Sequence, residues 1–155
     1  GITPETFEFA AELVRKGAKL KEICRIALRK KSKAHCELEK IIYDRLEFLE
    51  DGKIAFAYLN LEDYENTHAE MGDDEGLVEM LRDIEDVEVA VLLKEKEGAN
   101  GYKASLRSHE TVNVSDICML LGGGGHRGAA GCFINGTLDQ AKTKIINAVK
   151  QGLKK

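Results

Sequence analysis

The ten residues from Gly122 to Gly131 include those best suited to binding an anion. Four consecutive glycines, Gly122 to Gly125, precede His126 and Arg127. Glycine backbone lets N–H groups approach an anion without a Cβ in the way. Arginine adds a planar donor fork, and histidine adds a donor whose charge can change near neutral pH. The segment predicts a phosphate-binding loop, although a tight crossing of two backbones would demand glycine equally. The predicted ligand-binding residues of the loop are Gly123, Gly124, Gly125, His126 and, more weakly, Arg127.

A second candidate for anion binding lies upstream, in the predicted strand 102–107. Alternation along a strand places Lys103, Ser105 and Arg107 on one face and the apolar residues on the other. An arginine held on such a rigid element can bind a phosphate through two parallel hydrogen bonds. A surface carboxylate would satisfy the same side chain, so the pattern alone leaves both partners open.

One acidic cluster has the composition of a metal site. It comprises His68, Glu70, Asp73, Asp74 and Glu75. Asp73 or Asp74 is also a natural N-cap for the helix predicted next, and the other acids fit a polar loop. We therefore predict no metal site in this chain.

Composition predicts one well-formed core with a small helical annex. The chain has 155 residues, 43% of them hydrophobic, and a net charge of −4. Its four cysteines contain no C-x-x-C pair, and the patterns around Cys24, Cys118 and Cys132 predict buried, reduced thiols. No apolar stretch is long enough to span a membrane, so we expect a cytoplasmic protein without a membrane partner.

Hydrophobic periodicity predicts how these residues are positioned. Three helices come first, and we expect an α/β domain to follow, with a mixed sheet flanked by helices. Strands 87–93 and 102–107, which a polar turn joins, should pair antiparallel. The predicted helices are 3–17, 19–28, 33–49, 75–84, 115–121 and 137–149, and the predicted strands are 54–59, 87–93, 102–107 and 129–134.

The glycine-rich segment resembles the GGGH-x-x-AAG signature of the C-terminal, DHH-associated domain of DHH-family phosphoesterases. Further similarities are Ser105-Leu106-Arg107-Ser108, which resembles the family's S-[LF]-R-S strand, and the stretch from Asp74 to Ala90. The branch it most resembles contains oligoribonuclease (nanoRNase)/pAp phosphatases and exopolyphosphatase-related proteins. The resemblance implies a helical linker and the tail end of a catalytic domain at 1–50, and a substrate-binding domain at 53–155.

The resemblance also implies a function. The parent protein would hydrolyse short RNA oligomers or pAp-like nucleotides, and this domain would hold the substrate through Arg107, Ser105, His126 and the glycines. Glu75 would border the ligand cleft. The implied partners are a nucleotide or short single-stranded oligonucleotide and the chain's own N-terminal DHH domain, and a homodimer is left open.

The catalytic motif of that family is absent from this sequence. The family places two metal ions, usually manganese, in its N-terminal domain, and this chain contains no Asp-His-His and no Asp-x-Asp. We therefore expect no catalytic residue here, a two-manganese centre in a preceding domain, and an inactive chain when alone. The alternative is a stand-alone nucleic-acid-binding module, like the related domain of alanyl-tRNA synthetases.

Overall fold

The structure is a computed structural model that describes residues 2–70, 72–109 and 111–154. The chain divides into two compact units, residues 1–32 and 33–155. No helix in the described part of the chain is both long and apolar enough to cross a membrane.

The first unit is helical and buries none of the residues in its helices. Helix α1 (Pro4–Arg15) begins after Thr3, whose N–H donates to Thr6 Oγ1 at 3.2 Å. Helix α2 (Leu20–Cys24) continues directly into a π-helical turn, Arg25–Arg29. Cys24, predicted to be buried, is half-exposed here. Large apolar side chains of this unit that are exposed are Ile2, Phe7, Phe9, Leu13, Val14, Leu20, Ile23, Ile26 and Leu28.

The second unit is a mixed six-stranded sheet with helices on both faces, as the sequence predicts. The strand order is β1-β2-β3-β4-β6-β5, and only β2 and β3 pair in parallel. The predicted antiparallel pairing of 87–93 with 102–107 is confirmed as β3 with β4. The strands are β1 (Glu47–Leu49), β2 (Ile54–Leu59), β3 (Val89–Glu95), β4 (Gly101–Ser108), β5 (Gly124–His126) and β6 (Ala129–Asn135). The helices are α3 (Lys33–Asp44), α4 (Leu61–Thr67), α5 (Leu77–Arg82), α6 (Val114–Met119) and α7 (Leu138–Leu153).

The two faces of the sheet are covered to different extents. One face packs against α6 and α7 along β2, β3, β4 and β6, and its core includes the buried Cys118 and Cys132. The opposite face is buried only over β2 and β3, where α3 and α5 cover it. Hydrophobic burial thus fixes the sheet, and the second face stays open over β4, β6 and β5.

Two further local predictions were wrong. The third helix, predicted to run to 49, ends at Asp44, and Glu47–Leu49 forms the edge strand β1. Arg45 follows the helix, and its guanidinium donates to both carboxylate oxygens of Asp63, at 2.6 and 2.8 Å. That hydrogen bonding raises the pKa of Arg45, against a smaller opposing effect of burial.

The N-cap of α5 is the second correction. Gly76 occupies this position, and neither Asp73 nor Asp74 does. Both aspartates are engaged elsewhere, because Asp73 accepts from the Glu70 N–H at 2.8 Å and Asp74 pairs with Lys94 at 2.6 Å.

Candidate functional site

The surface of β4, β6 and β5 on the side away from α6 and α7 carries four of the eight predicted ligand-binding residues, Ser105, Arg107, Gly124 and His126. Alternating residues of the three strands face this side, because the intervening ones belong to the core beneath α6 and α7. We call this surface the open face. Its residues are Lys103, Ser105 and Arg107 from β4, Ala129, Gly131 and Phe133 from β6, and Gly124 and His126 from β5.

Strand register arranges the open face in three rows. The first row is Arg107, Ala129 and His126. The second is Ser105, Gly131 and Gly124, and the third is Lys103 and Phe133. Because neighbouring strands lie about 4.8 Å apart, the Cα atoms of Arg107 and His126 are about 10 Å apart across the small Ala129. Two long donor side chains thus flank a shallow space about the width of a phosphate group.

Arg107 already has a carboxylate partner in this structure. Its Nε donates to Glu79 Oε1 at 2.7 Å, and its Nη1 donates to the Leu106 carbonyl oxygen at 3.0 Å. Nη2 donates to none of the residues that the structure describes. Both side chains of the ion pair are partly exposed, at 26% and 35%, and such a pair contributes little to stability. An incoming anion could therefore displace Glu79 at small cost.

His126 is exposed on β5, whose position is fixed from the opposite side of the sheet. Ser115 Oγ donates to the Gly125 carbonyl oxygen at 3.0 Å, and the Val114 N–H donates to the Arg127 carbonyl oxygen at 2.9 Å. The first residues of α6 thus hold both the strand and the turn that follows it. This support presents His126 on an ordered edge strand.

The predicted phosphate-binding loop is an extended strand end, so its N–H groups do not form a cradle. The N–H of Gly123 donates to the Cys118 carbonyl oxygen at 2.8 Å, and Gly124–His126 pair with β6. The glycine-rich segment follows α6 and then forms a sheet edge. The segment therefore offers a ligand a backbone surface without side chains. Its N–H groups do not converge on one point.

Packing accounts for two of the predicted glycines and not for the third. A Cβ at Gly123 would overlap the Gly131 carbonyl oxygen. Gly125 has φ +152°, and a Cβ there would lie 2.5 Å from the Ala129 carbonyl oxygen. Gly124 has neither constraint, since its φ is not in the positive region and nothing lies within 4 Å of its Cβ position. Close approach of the β6 backbone therefore explains why positions 123 and 125 are glycine. Packing does not require glycine at position 124, which lies on the open face.

Two weaker candidates lie apart from these rows. Arg127 lines a cleft of about 300 Å³ between α6 and α7, together with Asn113, Asp116 and Gln151. Glu75 is exposed in the turn before α5, where its N–H donates to the Gly72 carbonyl oxygen at 3.1 Å and its carboxylate forms no ion pair or hydrogen bond with a described residue. The strand register brings together Arg107, Ser105, Gly124 and His126, and Arg127 and Glu75 lie outside these strands.

An ion pair with a hydrogen-bonded tyrosine borders the open face on the β3 side. Asp74 accepts from Lys94 at 2.6 Å and from the Tyr64 hydroxyl at 3.1 Å. Burial alone would raise the pKa of Asp74, but Lys94 and Tyr64 together lower it below its usual value. Burial and the Asp74 carboxylate raise the pKa of Tyr64. These contacts tie the acidic cluster into the fold.

The described residues do not bring potential metal ligands together. Across residues 2–70, 72–109 and 111–154, no group of three His, Cys, Asp or Glu side chains could hold a metal ion. The residues described here therefore do not fit a two-manganese centre.

Three residues relevant to the site were not selected from the sequence. Glu79 was missed because the contact of α5 with β4 depends on the tertiary fold. Lys103 shares the strand face of Ser105 and Arg107, so the alternation already pointed to it. Phe133 alternates with buried Cys132 and Ile134, and that pattern could have placed it on the same face as Gly131.

The mixed sheet and its covering helices define an α/β domain, and the open face carries the side chains that the sequence selected for anion binding. The DHHA1 domain family matches residues 51–155, and the chain belongs to that family. It is 35% identical over 153 residues to the bifunctional oligoribonuclease and PAP phosphatase NrnA of Thermus thermophilus, covering 97% of this chain and 44% of that protein. It is 27% identical over 150 residues to the A-adding tRNA nucleotidyltransferase of Aquifex aeolicus, covering 96% of this chain and 17% of that protein.

A solved structure supports the same assignment. An exopolyphosphatase-related protein from Bacteroides fragilis superposes with a TM-score of 0.87 at 25% identity, covering 96% of this chain and 44% of that one. The chain thus spans less than half the length of each of these relatives. The predicted membership of the DHH-associated family is confirmed.

Proposed function

We propose that this chain is the substrate-binding domain of a DHH-family phosphoesterase that hydrolyses short RNA oligomers or pAp-like nucleotides. The observation that carries the proposal is the strand register, which sets Arg107 and His126 in one row on either side of Ala129. The relative from Thermus thermophilus, 35% identical, is named for oligoribonuclease and PAP phosphatase activities. Both substrates are nucleotides with exposed phosphates, which the open face would bind.

Each residue of the site has a defined part in this proposal. Arg107 exchanges Glu79 for a phosphate oxygen and keeps a charge-assisted hydrogen bond. His126 donates from the other side, and Ser105 offers its hydroxyl from the second row. Gly124 leaves space for the sugar-phosphate backbone to lie against the strand.

Hydrolysis would require a metal centre, and the described residues hold no group of three potential ligands for one. A preceding domain would supply two metal ions that activate water, and the open face would orient the phosphate toward them. The manganese centre, a homodimer and a cytoplasmic location stay predictions from the sequence. A stand-alone nucleic-acid-binding module remains the second candidate, and the coding sequence upstream of this chain distinguishes the two.

Calorimetry with adenosine monophosphate tests the binding function. We expect weak binding whose affinity falls as salt rises, because phosphate contacts dominate. The chain alone should release no nucleotide from a dinucleotide in the presence of manganese. A folded chain that gives no heat at millimolar nucleotide would contradict the proposal, and chelator-sensitive hydrolysis by the pure chain would contradict the division of labour.

A further inference from the structure

A hollow of about 360 Å³ lies at the end of the open face away from Arg107. It is lined by Lys96, Lys103, Gly124, Gly131, Cys132 and Phe133. Gly124 and Gly131 contribute no side chain to the lining, and Phe133 contributes an aromatic residue. The hollow is therefore continuous with the proposed phosphate site through the second row.

The Phe133 ring is both exposed and held in place. It is 39% exposed, whereas the neighbouring β6 side chains Cys132 and Ile134 are buried. The ring tip lies over Gly101, since a Cβ at that glycine would be 2.8 Å from Phe133 Cζ. An ordered aromatic ring on a flat, open sheet surface offers a stacking platform, and every nucleobase has a π-face that can use it.

The two lysines beside the ring are not neutralised. Neither Lys96 nor Lys103 forms an ion pair with a described residue, and both are exposed. Lys94, paired with Lys103 across the strands, is instead bound to Asp74 at 2.6 Å. An aromatic ring next to free positive charge matches the chemistry of single-stranded nucleic acid, which combines bases with phosphates.

The separation of the rows determines which nucleotide reaches the ring. The first and third rows are four residues apart along the strands, or about 13 Å. Nucleotides in a duplex strand advance about 3.4 Å each along the axis, so even a strand extended to about twice that rise needs two nucleotides to cover this distance. A phosphate bound between Arg107 and His126 thus leaves its own base short of Phe133.

We infer that Phe133, Lys103 and Lys96 form a second-nucleotide subsite, in which the ring stacks on the base of the neighbouring nucleotide and the lysines bind its phosphate. The inference rests on the proposed function, because it takes the first phosphate to lie at Arg107 and His126. It makes short single-stranded oligonucleotides, and not mononucleotides alone, the ligand class of the open face.

Binding of two probes to the chain tests this inference. The probes are adenosine monophosphate and the dinucleotide pApA, and the variant is Phe133→Ala. We expect about tenfold weaker binding of pApA, as for the loss of one aromatic–base stack, and less than a twofold change for the mononucleotide. Phe133→Trp should restore pApA binding. Lys103→Gln should weaken pApA binding and reduce the slope of its salt dependence by about one.

Phe48→Ala is the matched control, because Phe48 is also an exposed phenylalanine, 53% exposed, on the opposite edge strand β1. It should leave both affinities unchanged. Equal losses for the two probes with Phe133→Ala, or no loss for pApA, would overturn the subsite while the proposed function stands. Wild-type chain that binds neither probe would overturn the proposed function itself.

Discussion

One face of the sheet has two halves that differ in what covers them. Over β2 and β3 it consists of alanine and leucine and is buried under α3 and α5. Over β4, β6 and β5 it consists of serine, arginine, lysine, glycine, histidine, alanine and phenylalanine, and α5 reaches it through the ion pair of Glu79 with Arg107. The opposite face is apolar along β2, β3, β4 and β6. The covered half therefore serves stability, and the open half is the surface to which the proposed function assigns the ligand.

The boundary between the halves runs between two paired strands. Leu92 of β3 is 1% exposed, and its partner across the strands, Ser105 of β4, is half-exposed. Residues facing the same side of one ladder thus meet different environments within about 5 Å. Substitutions on either side of this boundary separate stability from binding.

The largest expected effect is on the covered half. Leu92→Ala should lower the free energy of unfolding by about 2–5 kcal/mol, because it removes buried methyl groups and leaves a cavity. Ser105→Ala, across the ladder, should change it by less than about 0.5 kcal/mol. Denaturant unfolding of both variants measures the difference. Similar losses in the free energy of unfolding for Leu92→Ala and Ser105→Ala would show that the two halves contribute equally to stability.

On the open half the large effect should be on ligand affinity. Removing a charge-assisted hydrogen bond costs about 1.5–3 kcal/mol, so Arg107→Ala and His126→Ala should each weaken nucleotide binding at least about tenfold. The double variant should deviate from the sum of the two, since both groups act on one phosphate. Calorimetry measures the affinities of the variants. Denaturant unfolding should show that Arg107→Ala and His126→Ala keep the stability of the wild-type chain.

Arg82→Ala is the control for Arg107→Ala. Arg82 also binds a carboxylate, that of Asp83 at 2.6 Å, and its side chain is 28% exposed. It should leave the affinity unchanged. If Arg107→Ala lowered the melting temperature and spared affinity, Arg107 would be a structural residue.

The consecutive glycines provide the next comparison. Gly123→Ala should destabilise the chain by about 1–3 kcal/mol, as overpacking does, because its Cβ would overlap β6 backbone. Gly124→Ala should preserve stability and weaken nucleotide binding several-fold, because its methyl group occupies the open face. Thermal unfolding and calorimetry on both variants check the pair. Unchanged affinity in Gly124→Ala would leave this glycine without a role in binding.

A smaller effect is expected from the partner of Arg107. Glu79→Gln removes the charge that competes with an anion, so nucleotide binding should tighten about two- to fivefold, the worth of one exposed ion pair. Glu75→Gln removes the same charge nearby without an Arg107 contact, and it should change affinity less. Calorimetry at low salt resolves effects of this size. Weaker binding in Glu79→Gln would mean that Glu79 orients Arg107 for the ligand.

The sequence predicted features that depend on residues close together in the chain. It missed features that depend on contacts between distant residues. Alternation along 102–107 placed Ser105 and Arg107 on one face, and β3 to β4 pairing followed from the turn between them. Edge strands β1 and β5 were missed, because three residues carry too little periodicity and their pairing depends on distant partners. The rows linking Arg107 to His126 arise from register across three strands, which no local pattern specifies.

The same limit applied to individual glycines. Sequence alone could not separate a close backbone crossing from a ligand contact, since both require a missing side chain. The structure distinguishes them because β6 backbone lies against Gly123 and Gly125 and not against Gly124. Glu79 was missed for a related reason, since its contact with Arg107 joins residues 28 apart in the chain.

The smallest expected effect is on the acid dependence of stability and concerns the boundary between the two halves. Asp74 has a lowered pKa in the folded chain, because Lys94 and Tyr64 stabilise its carboxylate. Asp74 therefore binds a proton more readily in the unfolded state than in the folded state. Its contribution to stability is complete above its unfolded pKa of about 3.9. That contribution is lost as the pH falls through the lower pKa of the folded state. Unfolding measured from pH 6 down to pH 2 should thus show an acid loss that is smaller in Asp74→Asn, which is also less stable than the wild type at pH 6. Glu75→Gln, which changes an exposed neighbour, should retain the full acid loss. An unaltered acid profile in Asp74→Asn would show that this contact does not set the stability of the edge.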